Sequence, residues 1–153
     1  MYYFAYGSNL NHQQMKARCK ESKYVQTYIL KGYQLIFSHH NPGNKYGHAN
    51  IEKKKNSEVP GAIWKITKNV DSNKYSDERE LDDYEGFPIY YQKDYINWKD
   101  EKALVYIQNK LTKKKPNSDY FHKIIRGYKD CHLDLNYLRR RISFYTIDYN
   151  IKW

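Results

Sequence analysis

Cysteine is almost absent from this sequence: Cys19 and Cys131 are the only two among 153 residues. Two thiols so far apart make neither a disulfide framework nor a CxxC redox or metal motif, and both are expected to be buried and inert. Long apolar runs are missing as well. No stretch approaches the roughly 18 consecutive apolar residues of a membrane-spanning helix. The opening Met1-Tyr2-Tyr3-Phe4-Ala5-Tyr6-Gly7-Ser8-Asn9 lacks the basic start and apolar centre of a secretory leader. The expectation is a soluble, cytoplasmic protein with no membrane partner. Neither GxxxxGKS, GxxxxGKT nor GxGxxG occurs, which excludes the usual glycine-rich phosphate cradles. No repeat or low-complexity linker marks a boundary, and the length suits one domain over residues 1–153.

What is abundant is tyrosine, with 18 residues in an aromatic fraction of 17%. Disordered chains are poor in aromatics, so this one is expected to fold. Lysine and arginine number 27 against 17 acidic residues, a formal charge of +10. The basic runs Lys53-Lys54-Lys55, Lys113-Lys114-Lys115 and Arg139-Arg140-Arg141 are short and scattered. Enrichment in Lys, Asn, Tyr and Ile reads as a general compositional bias, so nucleic acid is not the expected partner. Only convergence of those runs on one face would change that.

The hydrophobic pattern mixes both periods. Tyr2 to Tyr6 is apolar on both faces, as in a buried strand, and breaks at Gly7-Ser8-Asn9. A short helix is expected over Asn11 to Arg18, with Ser8, Asn9 or Asn11 as its cap. Strands are expected at Tyr33–Ser38, Ala49–Ile51 and Ala62–Ile66, with a turn at Asn41-Pro42-Gly43-Asn44 and a polar loop after Ile51 through Pro60 and Gly61. Asp71 to Tyr84 has apolar residues at helical intervals, and Gly86 is placed to end that helix. Strands at Tyr90–Trp98 and Ala103–Ile107 follow. A helix capped by Asn117 or Ser118 comes next, with Phe121, Ile124, Ile125 and Tyr128 on one face. Tyr145, Ile147, Tyr149, Ile151 and Trp153 alternate with polar residues, which predicts a C-terminal strand over 144–153. The lack of a regular βαβ rhythm favours an α+β fold.

Two segments carry candidate chemistry. Tyr6-Gly7-Ser8-Asn9-Leu10 sits at a strand-to-helix turn, where glycine permits close backbone approach and N–H groups attract anions. Read alone, it is equally an ordinary tight turn. Ser8 is a poor nucleophile candidate, because the flanking Tyr6 and Leu10 do not make GxSxG and no base partner is evident. Glu85, at the predicted helix end in Leu81-Asp82-Asp83-Tyr84-Glu85-Gly86-Phe87-Pro88-Ile89-Tyr90-Tyr91, lies near the negative pole of a helix among aromatics. Both features raise a carboxyl pKa toward neutrality. Read alone, it is first of all a solvated helix-end residue. His39, His40 and His48 fall near one another, but their spacing is a poor metal signature.

Together the segments resemble the γ-glutamylcyclotransferase-like family. Phe4-Ala5-Tyr6-Gly7-Ser8-Asn9-Leu10 is similar to its YGSN signature, and Leu81-Asp82-Asp83-Tyr84-Glu85-Gly86 to its LDxxEG segment. Met15-Lys16-Ala17-Arg18-Cys19, Leu30 to Phe37, Ala49-Asn50-Ile51, Val59 to Ile66 and Lys115-Pro116 to Tyr120 follow in order, covering about residues 2 to 128. Lys20 stands where many relatives carry proline, and the alternating tail lies outside the pattern. The resemblance implies an α+β fold, a small closed or nearly closed mixed β-barrel with flanking helices. It implies a reaction in which the α-amine of a γ-glutamyl group attacks its own γ-carbonyl, releasing 5-oxoproline and an amine without metal or cofactor. Glu85 would be the catalytic acid/base. Tyr6, Gly7, Ser8, Asn9, Leu10, Tyr91 and Tyr120 would bind substrate, with Tyr90 able to replace Tyr91 after a one-residue shift. The expected partner is a small γ-glutamyl compound, bound by a monomer or homodimer. The alternative is a non-catalytic small-ligand-binding module on the same fold.

Overall fold

A computed structural model describes residues 1–109, 111–145 and 151–153. The elements run β1 (Tyr2–Ala5), a 3₁₀ turn (Ser8–Leu10), α1 (His12–Arg18), β2 (Lys23–His39), β3 (His48–Lys65), α2 (Asp77–Glu85), β4 (Gln92–Trp98), β5 (Glu101–Ile107), β6 (Thr112–Lys113), α3 (Ser118–Asp130) and α4 (Leu135–Ile142). Six strands form one mixed sheet in the order β4-β5-β1-β3-β2-β6, curled into a half-barrel with the four helices about it. Among the described residues no helix is long and apolar enough to cross a membrane.

β1 is central and short. It pairs antiparallel with β3, Ala5 opposite Ala62, and parallel with β5, Tyr3 opposite Leu104. Tyr3, Phe4 and Ala5 are buried, as residues covered on both faces of a sheet must be. Beyond Ala5, the start of β3 meets the end of β5 through a side chain. Gln108 N–H donates to Asn50 Oδ1 (2.9 Å) and Asn50 Nδ2 donates to the Gln108 carbonyl (3.1 Å). One buried amide thus stands in for a missing ladder pair, and the neighbouring residues Ala49 and Tyr106 line a cavity.

The polar stretch after Ile51 through Gly61, expected as a loop, is part of one long strand. Tyr33 pairs with Lys53 and Lys31 with Glu58, so residues 54–57 bulge out opposite Gly32 and the sheet coils there. Asn56 and Gly32 take positive φ values of 61° and 81° at this bulge. Pairing along β2 overrode the local polarity that suggested a break. β2 likewise begins at Lys23, ten residues before the strand read from the sequence.

α2 starts at Asp77, later than expected, because Ser76 caps it by accepting from Arg79 N–H. α3 follows the expected pattern: the Asn117 side chain caps it, and Phe121, Ile124, Ile125 and Tyr128 are buried. α4 was not anticipated. Its signals are the Asp134 cap and the buried pair Leu138 and Ile142 at helical spacing. Of the expected C-terminal strand over 144–153, residues 146–150 lie outside the described residues, while Phe144 and Tyr145 lie in a turn and bend and 151–153 are irregular. Side chains from this end cover part of the β2 edge: Tyr137 OH accepts from Leu35 N–H (3.2 Å), and Tyr145 OH from Phe37 N–H (2.7 Å).

A shared cation fastens α2 to the sheet. Lys93 Nζ on β4 lies 3.0 Å from Glu78 and 2.8 Å from Asp82, with both acids and the lysine largely withdrawn from water. Tyr106 of β5 donates to Asp82 Oδ1 at 2.6 Å. Removing one partner of a buried ion pair leaves the others uncompensated, so Lys93→Ala is expected to cost about 3 kcal/mol in urea unfolding. A cost below about 0.5 kcal/mol would show that the cluster does not hold the helix in place.

Candidate active site

A cavity of about 450 Å³ opens between the end of β1, the 3₁₀ turn and the end of α2. That volume is within the usual range for a small-molecule site. Its floor and walls are mainly tyrosines: Tyr3, Tyr6, Tyr91, Tyr106 and Tyr120, with Tyr84 and Tyr90 nearer the mouth.

Glu85 enters from above. α2 ends at Gly86, which takes the left-handed conformation (φ 62°) and donates its N–H to the Asp82 and Asp83 carbonyls. Glu85 is therefore the last helical residue. The residue as a whole is half-buried, but its carboxyl lies deep among protein atoms. Burial pushes its pKa up to about 7, against the opposing pull of the Arg18 charge and the Asn9 hydrogen bond.

Asn9 links the turn to that carboxyl. It is 3% exposed, and every hydrogen-bonding position of its amide is used. Nδ2 donates to Glu85 Oε1 (3.2 Å) and to Tyr3 OH (3.0 Å). Oδ1 accepts from Arg18 Nη1 (2.9 Å) and Gln14 Nε2 (3.2 Å). Arg18 also stacks on the Tyr84 ring, 4.4 Å from its centroid. The result is a rigid frame in which α1 sets Asn9, Asn9 sets Glu85, and a cation sits at the edge.

The turn spends two of its N–H groups internally: Leu10 on Gly7 O and Asn11 on Ser8 O, both at 3.0 Å. Those of Gly7, Ser8 and Asn9 take no part in these turn bonds. Leu10 thus falls outside the cavity, its side chain fully buried in the core and its N–H engaged. Ser8 lines the cavity, and its Oγ accepts from Gln14 Nε2 (2.9 Å), an amide and not a base. A Cβ on Gly7 would come within 2.9 Å of Ala49 Cβ, so only glycine lets the turn lie this close to β3.

The structure brings Tyr6, Gly7, Ser8, Asn9, Glu85, Tyr91 and Tyr120 around one space. Tyr6 OH donates to the Tyr106 carbonyl and Tyr91 OH to the Ala49 carbonyl (2.7 Å), so these two phenols face a ligand chiefly as acceptors. Tyr120 differs: its oxygen accepts from Ala49 N–H (2.9 Å), and the Ser8 side chain is a further hydrogen-bond partner. Tyr91 is the buried wall residue, whereas its neighbour Tyr90 is 45% exposed and packs against His40 at the mouth.

Several lining residues carry no role in the sequence reading: Tyr3, Arg18, His48 and Tyr106. Arg18 had a signal, since it lies in the last turn of the helix that follows the Gly7 turn. His39 is buried and occupied on both ring nitrogens, by Asn41 N–H (2.9 Å) and the Asn44 amide (2.9 Å). Burial first, and then a neighbouring histidine, holds the pKa of His39 and of His48 below the ordinary value. Among the described residues no three metal-ligating side chains come together. Burial pushes the thiols of Cys19 and Cys131 up to about 12, so both stay protonated.

Residues 3–123 match the family model described as gamma-glutamyl cyclotransferase, AIG2-like. No curated protein matches the sequence. Among solved structures, an uncharacterized protein from Homo sapiens is similar at 24% identity and a TM-score of 0.78, covering 99% of this chain and 91% of that one. A structure named gamma-glutamyl cyclotransferase is similar at 22% identity and a TM-score of 0.75, covering 99% and 92%. YkqA from Bacillus subtilis is similar at 18% identity and 0.65, covering 94% of this chain and 54% of its own. At these identities the structural likenesses speak for the fold.

Proposed function

The chain belongs to the gamma-glutamyl cyclotransferase, AIG2-like family, and from that premise we propose that it converts a γ-glutamyl amide into 5-oxoproline and a free amine. One observation supports this above the rest. A carboxyl group with a pKa near 7, that of Glu85, shares a 450 Å³ cavity with the Gly7–Asn9 turn and is held to it by Asn9 at 3.2 Å.

The reacting amine and carbonyl belong to one glutamyl unit, so the cavity has to hold a folded rotamer and manage protons. The α-amine arrives largely as ammonium. Glu85, ionised, takes one proton; the freed nitrogen lone pair attacks the γ-carbonyl carbon and a five-membered ring closes. The N–H groups of Gly7, Ser8 and Asn9, which the turn's own hydrogen bonds do not use, would steady the oxyanion. As the tetrahedral species collapses, the old γ-carbon–nitrogen bond breaks; Glu85 gives its proton to the departing nitrogen and relays to it the second proton shed by the ring nitrogen, so the amine leaves as ammonium and the lactam is neutral. No water is consumed, and no oxidation state changes. A pKa near 7 suits both steps, since the group must accept and then release at neutral pH.

Incubation with γ-glutamyl-alanine, γ-glutamyl-lysine isopeptide and simple γ-glutamyl amines, followed by quantification of 5-oxoproline, tests the reading. Release from at least one of them is expected. Tight binding of a γ-glutamyl compound with no 5-oxoproline would favour a ligand-binding module instead. Gly7→Ala tests the turn separately. Its Cβ would push the turn off Ala49, and the misplaced donors are expected to lower kcat/KM about 100-fold with little change in Tm. Unchanged kinetics would remove the turn from the binding site.

A further inference from the structure

A second concavity, of about 740 Å³ and sharing no lining residue with the first, lies where β6, β3 and α4 approach one another. Its walls carry Lys45, Lys54, Lys113, Lys114 and Arg141, together with Phe144 and Tyr145. These cations come from four separate stretches of chain, including all three basic runs. The scatter that argued against a nucleic-acid partner in the sequence is undone by the fold. Glu52 offsets one of them, at 3.2 Å from Lys113 Nζ. A net excess of about four positive charges remains along the groove.

The aromatic component is equally specific. Phe144 is 74% exposed, so its ring is open to a flat partner at the groove. The Arg141 guanidinium lies over its ring, 4.8 Å from the centroid, and is itself fixed by donating from Nε to the Leu35 carbonyl (2.8 Å). Cations that follow a backbone beside a ring on which a base can stack are the usual means of holding a single strand. A duplex hides its base faces and would leave Phe144 unused.

We propose that this groove binds single-stranded nucleic acid, with Lys54, Lys113, Lys114 and Arg141 on the phosphates and Phe144 under a base. It stands apart from the cavity of Glu85 and does not depend on the reaction assigned there.

The test is fluorescence anisotropy with 5′-fluorescein-labelled dodecauridylate. Affinity is expected to fall with salt at a log–log slope of about −3, from ~0.7 per neutralised phosphate in a single strand. The triple variant Lys54→Glu, Lys113→Glu, Lys114→Glu is expected to weaken binding at least about 20-fold and flatten the slope. A charge-matched triple at exposed Lys65, Lys68 and Lys129 should change affinity less than about 3-fold. Phe144→Ala should weaken binding about 10-fold without altering the slope, since it removes stacking and no charge. Circular dichroism confirms the fold of each variant. Equal losses in both triples, no binding by the wild type, or preference for phosphatidylserine vesicles or inositol hexakisphosphate over the oligonucleotide would each overturn the proposal.

Discussion

Glu85→Gln is expected to lower kcat on any γ-glutamyl substrate by about 10³-fold, the scale of a lost acid/base group, while making the protein more stable at neutral pH. The two effects have one cause. Glutamine keeps a carbonyl oxygen for the Asn9 donor, so the frame around the site survives. It cannot accept the ammonium proton. The stability effect follows from the direction of the pKa shift. Folding raises the Glu85 pKa from 4.5 to about 7. Below pH 4.5 the group is protonated in both states and makes no difference. Between 4.5 and 7 the unfolded chain loses its proton while the native one keeps it, so stability falls as pH rises, reaching a cost of roughly 3 kcal/mol above pH 7 at about 1.4 kcal/mol per pH unit. The variant has no such cost. Thermal unfolding at pH 4 and pH 8 should give near-equal Tm values at pH 4 and a variant several degrees higher at pH 8. Full activity in the variant would remove Glu85 from the mechanism, and a variant less stable at pH 8 would contradict its desolvated environment.

Asn9→Ala is the second large effect, expected to lower kcat/KM about 100-fold by loosening the positioned carboxyl and to cost about 2–3 kcal/mol in stability. Both follow from the four hydrogen bonds of its amide. Without it, Tyr3 OH loses a donor, and Arg18 Nη1 loses its acceptor while staying over the Tyr84 ring. Glu85 loses the hydrogen bond that favours its ionised form, so its pKa rises further. The acid limb of the kcat/KM profile should therefore move to higher pH. A limb in its wild-type place would mean that Asn9 serves only to pack the turn.

How far the sequence reveals this molecule depends on whether each signal is local. The Gly86 stop, the Asn117 cap and the buried face of α3 are each set within a few residues, and all were legible. So was the broken strand-to-helix turn at Gly7, because an apolar strand, a glycine and the capping Asn11 fall within a few residues. The length of β2 and β3 was not legible. A polar segment such as 52–58 becomes strand only because β2 lies beside it, and that pairing is invisible along one chain. The site shows the same division. Glu85 and the turn could be named from their own surroundings. Asn9 as the link to Glu85 joins residues 76 apart, and the place of Arg18 at the cavity edge depends on α2 docking against α1. Leu10 shows the opposite error. It belongs to the motif, but the 3₁₀ turn aims it into the core and uses its N–H internally.

Convergence of charge is another property of the fold. Lys54, Lys113 and Arg141 are 28 to 87 positions apart in sequence, and only the coiling of β3 and the packing of α4 bring them to one groove. A net charge of +10 supplied the material and not the arrangement.

The most direct examination of the central claim is a ¹³C NMR titration of the Glu85 side-chain carboxyl, assigned by its loss in Glu85→Gln and repeated with 5-oxoproline present. The expected result is a midpoint near pH 7 that moves when the product is bound. A midpoint near 4.5, unmoved by 5-oxoproline, would mean that this carboxyl meets bulk water and takes no part in glutamyl chemistry.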